Sequence, residues 1–259
     1  MSLIEQLLHL PVFLGIVLLM GLTTLVGLAV YILSYRLFAN SQSRESRRAA
    51  NYLFRAIGIL VSLFLSLTFA DVVLELNQIE TAIEREAVML EDIHRDLRHY
   101  DSERARRAQV LLVDYIQLVI SHDWPALAND RLSNEARVVL EQLEYEILHL
   151  EDKTELQGIL RSRLISDVDL ISDLRLVRLE QALAKPPLFL IVVIFGFLTT
   201  MVCFGPNKPN RLTMGLLSLY TQLIGLVVYL ILAYSDPFQG STGIDPTSLQ
   251  FVLNQILQT

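Results

Sequence analysis

Four stretches of this 259-residue chain contain no Asp, Glu, Lys or Arg: residues 6–35, 56–70, 186–207 and 212–235. A helix rising about 1.5 Å per residue needs roughly 20 apolar residues to cross a hydrocarbon core of about 30 Å. Three of the runs reach that length. The second has only 15 residues, and it spans if Arg55 snorkels at one end and Asp71 sits at the other interface. The N-terminal run lacks a basic leader segment and a small-residue cleavage site, so it reads as a first span and not as a signal peptide.

Charged residues make up 19% of the chain and mean hydropathy is +0.45, so polar and apolar residues are segregated along it. Residues 77–185 carry 22 acidic and 14 basic side chains, a net of −8 within a total of −7. A surface of that sign argues against nucleic acid as a partner. Apolar residues in this segment recur at three and four. Ile79, Ile83, Leu90, Ile93 and Leu97 form one stripe; Ala136, Leu140, Leu143, Ile147 and Leu150 form another. That is the amphipathic-helix pattern, with no sustained alternation of period two.

The expected fold is therefore an all-α membrane protein with four transmembrane helices and a large extramembrane helical domain between the second and third. Residues 1–76 supply helices 1 and 2, 77–185 the domain, 186–235 helices 3 and 4, and 236–259 a tail. Nothing punctuates the chain between Gly58 and His99, which predicts one unbroken helix leaving the membrane. Asp101 or Ser102 is expected to cap a helix reaching about His122, Trp124-Pro125 to form a turn, and Ser133 or Asn134 to cap the next helix. A fourth is expected over about 154–184. In the tail, Asp245-Pro246 reads as an N-cap with proline at the first helical position, followed by an apolar face of Leu249, Val252, Leu253, Ile256 and Leu257.

Four spans put both termini and the domain on one side. The short connections hold Arg36, Arg44, Arg47, Arg48, Arg55, Lys208 and Arg211, and the tails hold no Lys or Arg. Basic loops face the cytoplasm, which favours an external domain; Arg85, Arg175, Arg178 and Lys185 pull the other way.

Few groupings carry chemistry. Glu91/His94 and Glu146/His149 are Glu-x-x-His pairs of the kind that hold metals in helical bundles, but they border their stripes and read as solvated helix flanks. No nucleophile elbow, phosphate loop or zinc-protease motif occurs, and Cys203 is the sole cysteine. No enzyme, cofactor or metal site is expected. The second span is richer. Ser62, Ser66 and Asp71 bring polar groups into it, and Leu60, Phe64 and Thr68 form an i, i+4, i+8 row. Hydroxyls and hydrophobic constrictions are devices that pores use, while ordinary helix packing uses the same residues.

The order of features resembles the bestrophin-like family of bacterial membrane proteins. The resemblance rests on Leu60–Asp71, on Glu86-Ala87-x-x-Leu90, on Tyr115 and Trp124-Pro125-Ala-Leu127, and on Asp236-Pro237-Phe238-x-Gly240 after the last span. It implies similarity to bestrophins, oligomeric anion channels with a hydrophobic neck on the second helix. The implied neck is Leu60 and Phe64, the implied partners are further copies of the chain, the lipid bilayer and small anions, and the implied location is the bacterial plasma membrane with a cytosolic domain. The acidic run that binds calcium in animal bestrophins is missing, with only Asp236 and Asp245 present. An alternative is a non-conducting membrane scaffold or signalling protein whose helical domain binds a partner.

Overall fold

A computed structural model describes residues 10–38, 43–129, 131–182, 189–238 and 243–258. Among the described residues the chain is helical, with no strand. The helices are α1 (Val12–Phe38), α2 (Arg44–Tyr100), α3 (Glu103–Leu118), α4 (Trp124–Leu127), α5 (Glu135–Leu148), α6 (Glu155–Ala182), α7 (Phe189–Phe204), α8 (Arg211–Tyr234) and α9 (Thr247–Leu257). The chain forms two units. One comprises residues 1–74, 185–236 and 240–242, and the other 75–184, 237–239 and 243–259. Helix α2 supplies residues to both.

In the first unit, α1, α2 and α8 are long and apolar enough to cross a membrane; the apolar part of α7, Leu190–Phe204, is shorter. Lipid tails are as apolar as leucine, so such helices must associate through close packing and hydrogen bonds. Gly15 and Gly27 on α1 provide that approach. A Cβ on Gly15 would stand 2.6 Å from the Tyr229 ring, and one on Gly27 2.6 Å from Cγ2 of Thr221. Hydroxyls then bond across the seam. Tyr31 donates to the Asn207 carbonyl at 2.9 Å, Ser34 to the Val202 carbonyl at 2.8 Å, and Thr221 to Thr24 at 3.2 Å. Asn207 also donates to the Asn51 side chain at 2.9 Å, which fastens α2 to the turn between α7 and α8.

In the second unit the predicted stripes meet. Ile79, Ile83, Leu90, Ile93 and Leu97 of α2 pack in one core with Leu112 and Ile116 of α3, Leu140 and Leu143 of α5, and Leu164, Val168 and Ile171 of α6. Each such side chain contributes about 1.5–3 kcal/mol when fully buried. Helix α9 adds Leu249, Val252 and Ile256 to the same core. Leu257, expected on that face, is exposed; it lies about 100° around the helix from the buried Ile256.

The α2–α3 corner is Asp101 at a φ of 45°, a conformation that Asp tolerates, and Ser102 caps α3 by accepting from the Ala105 N–H at 3.1 Å. Ser133 accepts from the Glu135 N–H, and Asn134 makes no side-chain cap. Helix α9 begins at Thr247, one residue past the expected Pro246, a shift within the usual fraying of helix ends.

Trp124-Pro125 does not turn the chain. Helix α3 passes into a π segment, Val119–Asp123, and continues as α4. A proline ring clashes with the carbonyl four residues back and lacks an N–H. The wider π turn, in which the Trp124 N–H bonds to the Val119 carbonyl, accommodates it.

Candidate functional site

Two places combine polar chemistry with defined geometry. The first is the outward face of α2 in the first unit. Val61, Leu65, Thr68 and Val72, at intervals of four, three and four, are buried in that unit's core. Two residues earlier, about 200° around the helix, Ile59, Leu63, Ser66 and Ala70 repeat the same intervals and are all exposed, Ile59 by 69% and Leu63 by 54%.

The sequence-derived candidates divide between these faces. Leu60, Ser62, Ser66 and Asp71 are exposed. Phe64 is half-buried against the core, and Thr68 is buried with its hydroxyl donating to the Phe64 carbonyl at 2.8 Å. An i, i+4, i+8 row advances about 40° per step, so it runs from the outside at Leu60 to the interior at Thr68. The Ser62 hydroxyl donates back to the Gly58 carbonyl at 2.9 Å. The exposed Asp71 carboxylate has no ion-pair partner among the described residues.

The second place is a buried charge network in the second unit. Glu86, Tyr115 and Trp124 stand in the sequence as motif residues and Arg175 and Arg178 as basic flanks, but their meeting in one network, with Asp123, was not read from it. Glu86 fills the gap between Ile83 and Leu90 on α2, and Arg175 and Arg178 continue Leu164, Val168 and Ile171 on α6. A charge at a core register position was the available signal. Asp123 comes from the π segment and is fully buried.

Arg178 pairs with Glu86, whose other oxygen accepts from the Tyr115 hydroxyl at 2.7 Å. A second Arg178 nitrogen stands 3.7 Å from Asp123, which also receives Arg175 at 3.3 Å. The Arg178 guanidinium lies 5.4 Å over the Trp124 ring, within cation–π range. Burial alone would lower the Arg178 pKa, but Glu86, Tyr115 and Asp123 together raise it, so it stays charged. Burial, and then the Glu86 charge, push the Tyr115 phenol well above its ordinary value. The two carboxylates and two guanidiniums cancel. Asp123 Oδ1, Arg175 Nε, and Nε and Nη2 of Arg178 make no hydrogen bond to described protein groups.

The motif after the last span reaches this region through Trp124. Phe238 meets that indole edge to face at 5.5 Å. The Trp124 indole Nε1–H donates to the Ile244 carbonyl at 2.9 Å, and the Ile244 backbone N–H to the Pro237 carbonyl at 2.8 Å. Asp236 belongs to the first unit, and Gly240 lies outside the described residues. The Glu-x-x-His pairs are engaged otherwise. Glu91 accepts from Gln255 at 2.8 Å, Glu146 holds Arg104 and Arg107 at 3.3 Å each, and the His149 ring lies 4.1 Å from Tyr145. Among the described residues no three metal-ligating side chains gather.

Apolar spans joined to a helical domain define the class: an all-α membrane protein. The chain matches the bestrophin-like domain over residues 21–249 and belongs to the bestrophin-like family. Its fold is similar to that of a bacterial bestrophin homologue from Klebsiella pneumoniae, with a TM-score of 0.69 at 16% identity, covering 94% of this chain and 97% of that one. A point variant of that homologue gives 0.69 at 16% identity, covering 93% and 99%. No curated protein matches.

Proposed function

We propose that this protein is an oligomeric ion channel of the bacterial plasma membrane, with the outward face of α2 lining an axial pore shared by several copies. Four spans cannot enclose a wide path while packing against one another, so a pore needs subunits around an axis. The observation that carries the reading is the division of α2 into two opposite stripes. One is sealed in the protomer; the other carries Ser66 among apolar residues, with the exposed Ser62 and Asp71 on its flanks, Asp71 having no ion-pair partner among the described residues. An ionised carboxylate on a lipid-facing helix is costly, whereas one on a water-filled path is solvated. Ile59 and Leu63 would form the hydrophobic constriction next to Leu60.

Family resemblance favours anions as the permeant species. Asp71 favours a second reading, cation conduction, because a ring of carboxylates concentrates cations and repels anions. Purified protein reconstituted into planar bilayers tests both. The channel reading requires current from an oligomer, and the reversal potential in a salt gradient separates anions from cations. A monomer without current would leave the scaffold alternative.

A further inference from the structure

A groove of about 710 Å³ lies where α1 ends and α8 begins, lined by Ile32, Tyr35, Arg36, Asn210, Arg211 and Met214. That volume falls within the range of ligand sites, about 300–1,000 Å³. Its floor is apolar at Ile32 and Met214, and its rim carries two exposed guanidiniums. Among the described residues, neither Arg36 nor Arg211 has an ion-pair partner and the Tyr35 hydroxyl has no hydrogen-bond partner. The Asn210 side chain accepts from the Thr213 N–H at 2.7 Å, so other first-turn N–H groups of α8 remain as donors at the positive end of its dipole.

From this geometry we infer that the groove is a binding site for an anionic phospholipid. The phosphate sits between Arg36 and Arg211, and an acyl chain lies along Ile32 and Met214. Charge complementarity selects this occupant. The two connections that meet at this end, residues 36–55 and 205–211, hold seven basic residues and one acid, Glu45, in a chain of net charge −7. Basic clusters beside spans attract anionic headgroups at about 1 kcal/mol per side chain, and guanidinium binds phosphate through paired donors. Tyrosine suits the headgroup level. A free phosphate would gain nothing from the apolar floor, which both spans provide at the membrane boundary. The site is independent of ion conduction.

Native mass spectrometry of the detergent-purified protein, titrated with phosphatidylglycerol or phosphatidylcholine of matched chains, is the test. Phosphatidylglycerol should bind the wild type more tightly, and the Arg36→Gln/Arg211→Gln variant should lose about thirtyfold of that affinity. An Arg106→Gln/Arg137→Gln variant, which removes equal charge from exposed positions of the other unit, should bind as wild type does. Thermal unfolding without lipid should be the same for all three proteins. Single Arg36→Gln and Arg211→Gln variants should each lose part of the preference. Equal binding of the two lipids, equal loss in the control variant, or stabilisation by inorganic phosphate matching that by phosphatidylglycerol would each overturn the assignment.

Discussion

At Arg178 a guanidinium without solvent contact touches two carboxylates and an indole. Removing one member of such a group leaves the rest buried and uncompensated, at a cost of about 3–5 kcal/mol. Arg178→Met should therefore lower the stability of the protein by that amount in chemical denaturation. Arg106→Met, at an exposed position, should change it by less than about 0.5 kcal/mol. Tyr100 permits a pH test. Burial and its hydrogen bond to Asp152 raise its phenol to about 12 from 10.0. A raised folded pKa means that the contribution is complete below pH 10 and is lost as pH climbs through 12. Stability should decline across that window in the wild type and decline less in Tyr100→Phe. Ile79, Ile83, Leu90, Ile93 and Leu97 are legible in the sequence as a stripe, and Glu86 as part of the family motif, but nothing local shows that Glu86 occupies the stripe's missing core position. The pairing was not legible, since the partners of Glu86 and Asp123 lie on α6, some 50 to 90 residues onward.

Helix α2 runs unbroken for 57 residues, as the lack of Gly and Pro after Gly58 predicted, so its existence was written locally. Which way it faces was not. The row from Leu60 to Thr68 was grouped by spacing alone, and the 40° drift per step places its two ends in different environments. The π segment was equally hidden, since proline ordinarily signals a break and the wider turn that accommodates Pro125 has no sequence signature of its own. In the first unit, close approach of α1 to α8 depends on the missing Cβ of Gly27. Gly27→Leu should force the helices apart and destabilise the protein by about 1–3 kcal/mol or more. Thermal unfolding in detergent would show this, with Gly21→Leu unaffected because open space surrounds Gly21.

For the whole molecule, the partition into apolar and charged segments was legible from the sequence. The α1–α8 seam was not, because its glycines and threonines are ordinary in composition. If Asp71 lines the path, Asp71→Asn should raise chloride permeability relative to sodium, which reversal potentials in planar bilayers would show. The claim that the outward stripe of α2 faces water in an assembled channel is tested most directly by thiol accessibility. In a Cys203→Ala background, Ser66→Cys channels would be recorded in bilayers before and after a charged, membrane-impermeant thiol reagent, with Val61→Cys as the inward-facing comparison. The expected result is a lasting change in current for Ser66→Cys and none for Val61→Cys. Current that is indifferent to modification at Ser66, or altered only at Val61, would contradict the assignment of this face to the pore.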